Sequence, residues 1–487
     1  MKKLYLSVIF LIVFCGNVFS QSYLNFPIDT LASDSFYNYR AQIKYDANGF
    51  YHIVNSRQFD VASNTREIFY WTNKNGPVEK TRVTDNSVDD NYATVGFDTQ
   101  NNVHIGWERR DAGNLFQVIY TNDRPGNFTN TIWITTGGIN KATPYMAVGK
   151  DSLVHFVYYT FVAGQDNAYY RNYNFITNQL GNEITLGPGE ASGENDIEVA
   201  VDGLNKVHVV YTTNSSALNG GALMYFNNEA GSLVSIPTGL NANIQNPDIT
   251  IDNSNTVYII YKLSTDDRIY MISRPSGGSF TAPVAIVPAS VGNPVFWRGI
   301  DTDSNGRLYV SYANNSSSAT KGFFLVHGTG SNFSQPILVF QDSTASYITN
   351  GSTSITAKGN GEIAVCFGPA GSRFGNVISD IFLKQGTLTV TGITEPLNTV
   401  SEFKLYDNYP NPFNPSTSIR YSLPVSANVS LAIYDVNGKI VKTLVSRYQE
   451  AGNYSINFDA GDLTTGVYFY KLQAGEFTES KKMMLVK

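Results

Sequence analysis

Histidine is the residue type in this chain best suited to metal binding or proton transfer, and four of its five copies recur at one spacing. Roughly fifty residues separate each from the next: His52, His104, His155 and His208. A ring of imidazoles would suit a metal ion. However, Tyr258 and Tyr309 stand at the same place in later copies of the pattern, and a phenol is not a usual zinc ligand. The spacing therefore predicts that these side chains pack inside repeated units and hold no metal.

A set of carboxylates offers a second kind of chemistry, calcium binding. Asp301, Asp303 and Asn305, followed by Gly306, resemble the front half of a calcium loop, D-x-D-x-N-G. The twelfth position of such a loop carries a bidentate carboxylate, and here it is Tyr312. The same stretch also suits a tight hairpin turn. Calcium is therefore a secondary expectation at these residues, and no other cofactor is expected.

The histidines belong to a repeat that occupies most of the chain. Each copy has a stretch rich in Asp, Asn and Gly that runs into a His or Tyr, as in Asp98–His104 and Asp252–Tyr258. Two weaker copies end at His155 and Ala364. The anchor positions of the seven copies are 52, 104, 155, 208, 258, 309 and 364. Self-similarity at this period indicates a propeller, a solenoid or an array of small domains.

Each copy divides into four short strands. The first strand alternates apolar residues, the Asp/Asn/Gly stretch forms a hairpin turn, and the third strand is aromatic, as in Ile68–Tyr70 and Val118–Tyr120. A glycine turn then leads into the fourth strand. Four-stranded units of this length are typical of propeller blades, so we predict an all-β chain with a seven-bladed β-propeller over residues 21–390. A β-helix or an array of Ig domains is the alternative.

The two ends of the repeat region predict how the ring closes. Residues 22–33 precede the first copy and resemble the fourth strand of a blade. The seventh copy lacks a strand after Ile381 and Phe382. Pairing the N-terminal segment there would close the ring.

The first strand of each blade is expected to line the central axis, where loops leading into it form one face. Side chains nine residues before each anchor are apolar, whereas those ten and twelve before are mostly polar or aromatic. This alternation predicts a blade-packing face and a funnel-facing one. The candidate ligand-binding residues of the funnel are Arg40, Tyr92, Tyr145, Asp196, Glu198, Asp248, Trp297 and Arg298. Aromatic rings beside carboxylates suit a carbohydrate, a peptide loop, or simple solvation of the channel mouth.

The N-terminus and the composition indicate export. Lys2 and Lys3, an apolar run to Phe14 and a small residue at Ser20 are typical of a cleavable signal peptide over residues 1–20. The run is too short to span a bilayer, and we expect no transmembrane segment in the mature chain. Without the peptide, 32 basic residues face 40 acidic ones, a net charge of −8. This balance argues against nucleic acid as a partner, and Cys366 is left without a cysteine to pair with.

The turns between third and fourth strands are similar to degenerate Asp boxes of sialidase-like (BNR) propellers. Thr121–Phe128 is the nearest match, and Thr72–Gly76 lacks the acid. An Asp box is a folding motif, so the resemblance concerns fold and not activity. Sialidase chemistry also needs three arginines around a substrate carboxylate and a tyrosine nucleophile, and only Arg40 and Arg298 fall near the expected funnel. We therefore do not expect it.

The chain changes character after a linker at residues 391–402. Short alternating strands follow over residues 403–487 and predict a small Ig-like β-sandwich. Its motifs, in order, are Asn408–Pro415, Tyr434–Gly438, Gly466–Tyr468 and Lys481–Lys487. This series closely resembles the C-terminal sorting domain of type IX (Por) secretion. The resemblance implies Sec export to the periplasm, transfer across the outer membrane by type IX machinery that contacts residues 403–487, and a final place on the cell surface or outside the cell.

Two functions fit a propeller delivered in this way. One is a non-catalytic module that binds an extracellular glycan or protein. The alternative is a glycan-active enzyme, a hydrolase or polysaccharide lyase, with its site in the funnel. No convincing set of base, nucleophile and metal ligands stands out in the sequence, which favours the binding module.

Overall fold

The computed structural model places two compact units in the chain, Met1–Pro396 and Leu397–Lys487. It describes residues 22–23, 28–32, 38–60, 65–124, 126–161, 167–189, 197–213, 221–241, 244–264, 266–287, 294–295, 299–314, 322–340, 352–368, 370–373, 376–379, 381–388, 403–408, 411–423, 427–449 and 452–486. These residues form strands joined by turns, with one short 3-10 segment at Gly359–Gly361.

Among the described residues of the first unit, seven sheets correspond to the seven copies of the repeat, and the strands of each copy pair antiparallel. Blade 1 contains Asn38–Tyr45, Tyr51–Asp60, Thr65–Thr72 and Glu79–Arg82, and blade 2 contains Asp90–Phe97, Val103–Arg110, Phe116–Asn122 and Ile132–Trp133. Blade 3 contains Asn140–Val148, Leu153–Phe161, Asn167–Asn174, Gln179–Leu180 and Ile184–Pro188, and blade 4 contains Ile197–Val201, Val207–Thr212, Leu223–Asn227 and Val234–Ile236.

The remaining blades follow the same order with small additions. Blade 5 contains Ile244–Ile251, Val257–Leu263, Asp266–Arg274 and Val284–Val287. In blade 6 the first strand is in two pieces, so its strands are Pro294–Val295, Ile300–Thr302, Leu308–Asn314, Gly322–Thr329, Asn332–Phe333 and Ile337–Phe340. Blade 7 contains Ser352–Lys358, Glu362–Gly368 and Ile381–Thr387, with the hairpin Ala370–Arg373 and Asn376–Ser379 inserted. The first unit is therefore an all-β, seven-bladed β-propeller, and the β-helix and Ig-array alternatives are excluded.

The N-terminal segment closes the ring as the sequence predicted. Ile28–Ala32 pairs antiparallel with Ile381–Thr387 and becomes the fourth strand of blade 7. Just before it, Ser22–Tyr23 pairs parallel with the outer strand of blade 6. The chain's first described residues thus contact the last two blades, so the ring closes through hydrogen bonds between strands distant in sequence.

The Asp/Asn/Gly stretches form the predicted hairpins between first and second strands. In blades 2, 4, 5 and 6, one oxygen of the leading aspartate accepts the backbone N–H groups two and four residues later, as Asp98 does for Gln100 and Asn102 (2.9 and 3.0 Å). Asn101 closes this turn in the left-handed conformation, with φ of 60°. Asparagine tolerates that conformation better than most residues, which explains the composition of the turns.

The anchor histidines lie buried on the blade faces, where each meets a tyrosine of the third strand. The Nδ1 to Oη distances are 2.5 Å for His52 and Tyr70, 2.6 Å for His104 and Tyr120, 2.7 Å for His155 and Tyr170, and 2.6 Å for His208 and Tyr225. In blades 5 and 6 the anchor is a tyrosine, which donates to the turn aspartate instead, as Tyr309 does to Asp303 at 3.0 Å. The histidines are packing residues, as predicted.

Neighbouring blades share hydrophobic clusters. One cluster joins Tyr145, Tyr159 and Tyr170 of blade 3 to Ile197 and Val209 of blade 4. Similar clusters join blades 1 and 2, 2 and 3, 4 and 5, 6 and 7, and 7 and 1. Burial of large aromatic and β-branched side chains between stacked sheets is the main source of stability in such a fold.

The second unit is a seven-stranded β-sandwich. One sheet contains Lys404–Leu405, Ser416–Leu423 and Gly452–Asp459, and the other contains Ile440–Gln449, Ala427–Tyr434, Gly466–Ala474 and Phe477–Leu485 in that spatial order. The inward residues of both sheets, such as Ile419, Leu431 and Leu472, form one buried core. The predicted Ig-like sandwich is thus confirmed.

Candidate functional site

A cavity of about 250 Å³ lies on the axis of the propeller. Each of the seven innermost strands contributes to its wall: Gln42, Gly96, Val148, Val199, Asp248, Ile300 and Ser354 are among the lining residues, one from each blade. The predicted role of the first strands in lining the axis is therefore confirmed.

Several of the side chains ten residues before the anchors tie one innermost strand to the next. Gln42 Oε1 accepts the N–H of Val95 (2.7 Å), Asp248 Oδ2 accepts that of Ile300 (3.3 Å), and Ser354 Oγ accepts that of Ile43 (3.2 Å). Each bond runs from one blade to the following one. Asp248, a predicted funnel residue, thus lines the cavity and also holds blades 5 and 6 together.

Two further candidates, Tyr145 and Glu198, are buried. Tyr145 is 3% exposed and belongs to the hydrophobic cluster between blades 3 and 4. The physical reason is that an innermost strand has a neighbouring blade on each of its two faces. Alternate side chains along the strand therefore point into two different blade interfaces, and the alternation does not distinguish an interface from an open channel. The structure therefore places the Tyr145 ring inside the propeller wall, and only 4% of Glu198 is exposed.

The positions twelve residues before the anchors behave differently, because a β-bulge interrupts the strand there. Two residues face one partner residue in blades 1, 2, 3 and 5, where the register shifts between Tyr39/Gln42, Asn91/Thr94, Ala142/Tyr145 and Gln245/Asp248. Within these bulges Tyr92, Thr143 and Asn246 have positive φ values of 55°, 51° and 50°. A left-handed conformation is uncommon for any residue but glycine and is an outlier for an aromatic one. Three repeats therefore carry the same left-handed backbone at the same place, and it is strained at the bulky Tyr92 and the β-branched Thr143.

The remaining funnel candidates are Arg40, Asp196, Trp297 and Arg298. Arg40 lies in the bulged part of the first strand of blade 1, and its side chain is outside the described residues. Asp196, Trp297 and Arg298 also lie outside them. By position in the repeat, Asp196 and Trp297 correspond to Tyr92, whereas Arg298 is one residue further along.

Beside the bulges of blades 1 and 2 lies a network of buried ion pairs that the sequence reasoning missed. Asp90 is fully buried and accepts hydrogen bonds from Trp107 Nε1 (2.8 Å), Asn86 Nδ2 (2.7 Å) and both Nε and Nη2 of Arg109 (2.6 and 2.9 Å). Asp90 and Arg109 face each other across adjacent strands, so their cross-strand register was the available signal.

The other carboxylates in this region are held in the same way. Glu67 accepts from Arg82, from the Thr84 hydroxyl and from the Asn86 N–H. Asp89 receives both Nε and Nη2 of Arg66.

A carboxylate also supports the bulge of blade 3. Glu108 Oε2 accepts the N–H of left-handed Thr143 at 2.7 Å, from the neighbouring blade. Each described carboxylate in this part of blades 1 to 3 is thus engaged with donors of the chain itself.

The histidines are electrically neutral as well as buried. Burial lowers the pKa of His52, of His155 and of the fifth histidine, His327, to about 4, and it also lowers the pKa of His104 and His208. The four anchor histidines stand near the hairpins between first and second strands, at the opposite end of the blades from the bulges.

The calcium motif is divided between two structural roles. Asp303 Oδ1 accepts the N–H groups of Asn305 and Arg307, while its Oδ2 accepts from the Tyr309 hydroxyl. Asp301 Oδ2 accepts the N–H of Ala357 in the next blade at 2.9 Å, and burial raises the pKa of Asp301. In the part of the chain that the structure describes, no group of three His, Cys, Asp or Glu side chains is arranged to hold a metal ion.

The turns that resemble Asp boxes anchor the second strands. Asp123 Oδ1 accepts the N–H of Val103 at 2.7 Å, and Asn73 and Asn228 make the same bond in blades 1 and 4. Phe128, at the end of this turn, packs edge-on against Tyr70 of blade 1. These contacts serve blade assembly, in agreement with a folding motif.

The sandwich matches a known family. Residues 407–487 fit the family model described as the secretion system C-terminal sorting domain. The C-terminal unit is a sorting domain of the type IX secretion system. The chain is therefore exported by that route to the cell surface or the extracellular space. Within the described residues, no helix has the length and apolar character needed to cross a membrane.

No curated protein matches the chain at a significant level. Among solved structures it is similar to a protein of unknown function from Dyadobacter fermentans (10% identity, 74% of this chain and 99% of that chain, TM-score 0.45). It is also similar to the polysaccharide lyase Uly1 (9%, 71% and 89%, TM-score 0.42) and to a subtype N11 neuraminidase-like protein from a flat-faced bat isolate (8%, 63% and 90%, TM-score 0.38). Similarities at this level carry no information about ligands or catalysis.

Proposed function

We propose that the mature propeller is a non-catalytic module that binds an extracellular glycan at the bulged end of its channel. The observation that carries the proposal is the left-handed backbone repeated at Tyr92, Thr143 and Asn246, which is strained at the first two. A non-glycine residue in the left-handed region costs about 1–3 kcal/mol and persists where the surrounding structure enforces it, most often at functional sites. Bulges re-aim side chains next to such sites.

The chemistry of the ring formed by these positions suits a sugar. The partly buried ring of Tyr92, which packs against the cluster between blades 3 and 4, can stack on the C–H face of a pyranose, and the Asn246 amide offers hydrogen bonds to sugar hydroxyls. Thr143 is 6% exposed and its hydroxyl donates to the Ala142 carbonyl at 2.8 Å, so its contribution is the shape of the bulge. By repeat position, Arg40, Asp196 and Trp297 would add a cation, a carboxylate and a second aromatic ring. Protein ligands use similar groups, so a peptide loop is the other ligand that a binding experiment has to include.

The neighbouring carboxylates support binding over catalysis. A general acid or base has to exchange a proton with the substrate, whereas Asp90, Glu67 and Asp89 accept hydrogen bonds from arginines and backbone groups of the chain. The anchor histidines lie at the other end of the blades. The described part of the site therefore offers recognition groups more readily than reactive ones.

A glycan array with the purified mature protein, followed by turnover assays on every glycan bound, tests the proposal. Tyr92→Asn removes the ring but keeps a residue that tolerates positive φ, and we expect it to weaken binding by about 1–3 kcal/mol, as loss of an aromatic anchor does. Asn205→Gly is the matched control, because Asn205 has a φ of 63° but lies in a hairpin turn at the opposite end of blade 4.

Unchanged affinity in Tyr92→Asn, or equal losses in both variants, would place the glycan elsewhere. Turnover of a bound glycan would replace the binding module with the enzyme alternative.

A further inference from the structure

The sorting domain has an outward sheet face whose two halves differ in chemistry. One row of side chains runs across all four strands of the sheet, each opposite the next: Ile440, Tyr434, Phe469 and Lys482. The next pair on the same face at this end of the sheet is Val467 and Met484. Ile440 is 53% exposed, Met484 40% and Phe469 38%. Towards the other end, the outward residues Ser430, Gln473 and Thr478 are polar, and Tyr448, 63% exposed, lies at the corner of the sheet. An antiparallel sheet with one solvated face normally places polar residues there throughout, so the apolar half stands out.

Basic side chains border this apolar half. Lys471 and Lys482 lie on the same outward face, and neither makes an ion pair with a carboxylate of the described residues. The adjacent Lys481 differs, because its Nζ lies 2.9 Å from Asp407 and 3.9 Å from Glu479. Of these two adjacent residues, Lys481 therefore makes an internal ion pair, whereas Lys482 is exposed on the outward face.

The outward backbone groups at the C-terminal end of the final strand already have hydrogen-bond partners within the domain. Asn411 Oδ1 accepts the N–H of Met484 (2.9 Å), Phe413 N–H donates to the Met484 carbonyl (3.0 Å), and the Phe413 carbonyl accepts from Val486 (2.9 Å). The Phe413 ring is buried in the sandwich core. The Asn-Pro-Phe segment therefore occupies the outward hydrogen-bonding groups at the C-terminal end of this strand, where an added strand would otherwise pair. Beside this end, the side-chain face is open to recognition.

We infer that the apolar half of this face, Tyr434, Ile440, Val467, Phe469 and Met484 with Lys471 and Lys482, is the surface that the secretion machinery recognises. Its occupant is a protein of that machinery with an apolar surface bordered by carboxylates. Charge complementarity sets register and suppresses wrong partners, while buried aromatic and aliphatic groups supply most of the affinity. The inference rests on the assignment of the tail to type IX export and is independent of what the propeller binds.

The experiment follows secretion of the full-length chain in a bacterium that has a type IX system. We expect the double variant Lys471→Glu/Lys482→Glu to lower the extracellular and surface-bound fraction at least tenfold, with the chain retained in the periplasm. Phe469→Thr, which keeps a good strand former, should give a similar loss. Phe469→Leu, which keeps a large apolar side chain, should be secreted like the wild type. The matched controls are Lys481→Gln, which breaks only the internal ion pair, and Gln473→Glu, which adds a negative charge to the polar half.

Three outcomes decide the matter. Normal secretion of the charge-reversal variant, with a thermal midpoint equal to that of the wild type, would overturn the inference. A change in the oligomeric state of the purified protein without a change in secretion would assign the face to self-association and would also overturn it. Retention of the wild type in the periplasm would refute the export assignment itself, and the proposed partner with it, while leaving glycan binding by the propeller open to its own test.

Discussion

Replacement of His155 by phenylalanine should change stability in a manner that reverses with pH. The imidazole is 2% exposed, its Nδ1 lies 2.7 Å from the Tyr170 hydroxyl, and the two rings stack with centroids 5.9 Å apart. Phenylalanine keeps the packing but leaves the Tyr170 hydroxyl without this acceptor. At pH 7.5 we expect a loss of about 1–3 kcal/mol in the free energy of unfolding, the cost of a buried polar group left unpaired.

Acid should affect the two proteins differently. Burial lowers the pKa of His155 to about 4 in the folded state, against about 6.5 in the unfolded chain. Between these values the unfolded state binds a proton that the folded state does not, so the stability of the wild type falls as the pH drops from about 6.5 to about 4. The pKa difference corresponds to about 3 kcal/mol from this one residue. His155→Phe lacks that loss, so near pH 4 it should equal or exceed the wild type.

Urea unfolding at a series of pH values measures both effects. The double variant His155→Phe/Tyr170→Phe is the control, because removing both partners leaves no unpaired group and should cost less than the sum of the two single changes. A pH slope in His155→Phe equal to that of the wild type would refute the neutral, buried histidine. A stoichiometric metal in the wild type that disappears in the variant would refute the packing role altogether.

Two further predictions concern processing and the hairpin turns. The mature protein should begin at Gln21 and lack the C-terminal domain, so mass spectrometry that finds the residues around Met484 in the extracellular form would contradict removal of the tail. Asn205 accepts the N–H of Lys150 in the preceding blade at 2.8 Å, so Asn205→Gly should lower the free energy of unfolding by about 1 kcal/mol. Asn205→Ala should lower it by about 2 kcal/mol because the left-handed backbone adds strain, and equal effects in urea unfolding would show that the strain is negligible.

The blades could be predicted from the sequence because their signals are local. Asp, Asn and Gly in the hairpins, aromatic third strands and a constant period sufficed to place every blade and to place the closing strand within residues 22–33. The His–Tyr pairs recur with the same period. They are diagonal pairs, because each tyrosine stands two residues before the residue directly opposite its histidine and therefore faces the same blade surface.

The funnel was harder to predict, because alternation along an innermost strand reports two blade interfaces. Gln42 and Asp248 are polar since they accept N–H groups of the next strand, and Tyr145 is aromatic since it fills a hydrophobic cluster. The bulges did leave a signal. Pro144 and Pro247 follow Thr143 and Asn246 at the same repeat position, and a proline inside a strand marks an interruption of the ladder.

The distribution of contacts along the blades separates stability from recognition. At the hairpin end, left-handed asparagines bond to the preceding blade: Asn101 to Ala47, Asn205 to Lys150, and Asn255 to Gly203. There the unusual backbone is matched by a hydrogen bond and a residue type that favours it. At the bulged end the same φ values fall on Asn246, which tolerates them, but also on Tyr92 and Thr143, which do not favour them. Because Tyr92 and Thr143 have no preference for the left-handed conformation, we infer that the roles of their side chains, and not the requirements of the turn, account for the presence of these residues. This asymmetry is the reason to seek the ligand at the bulged end.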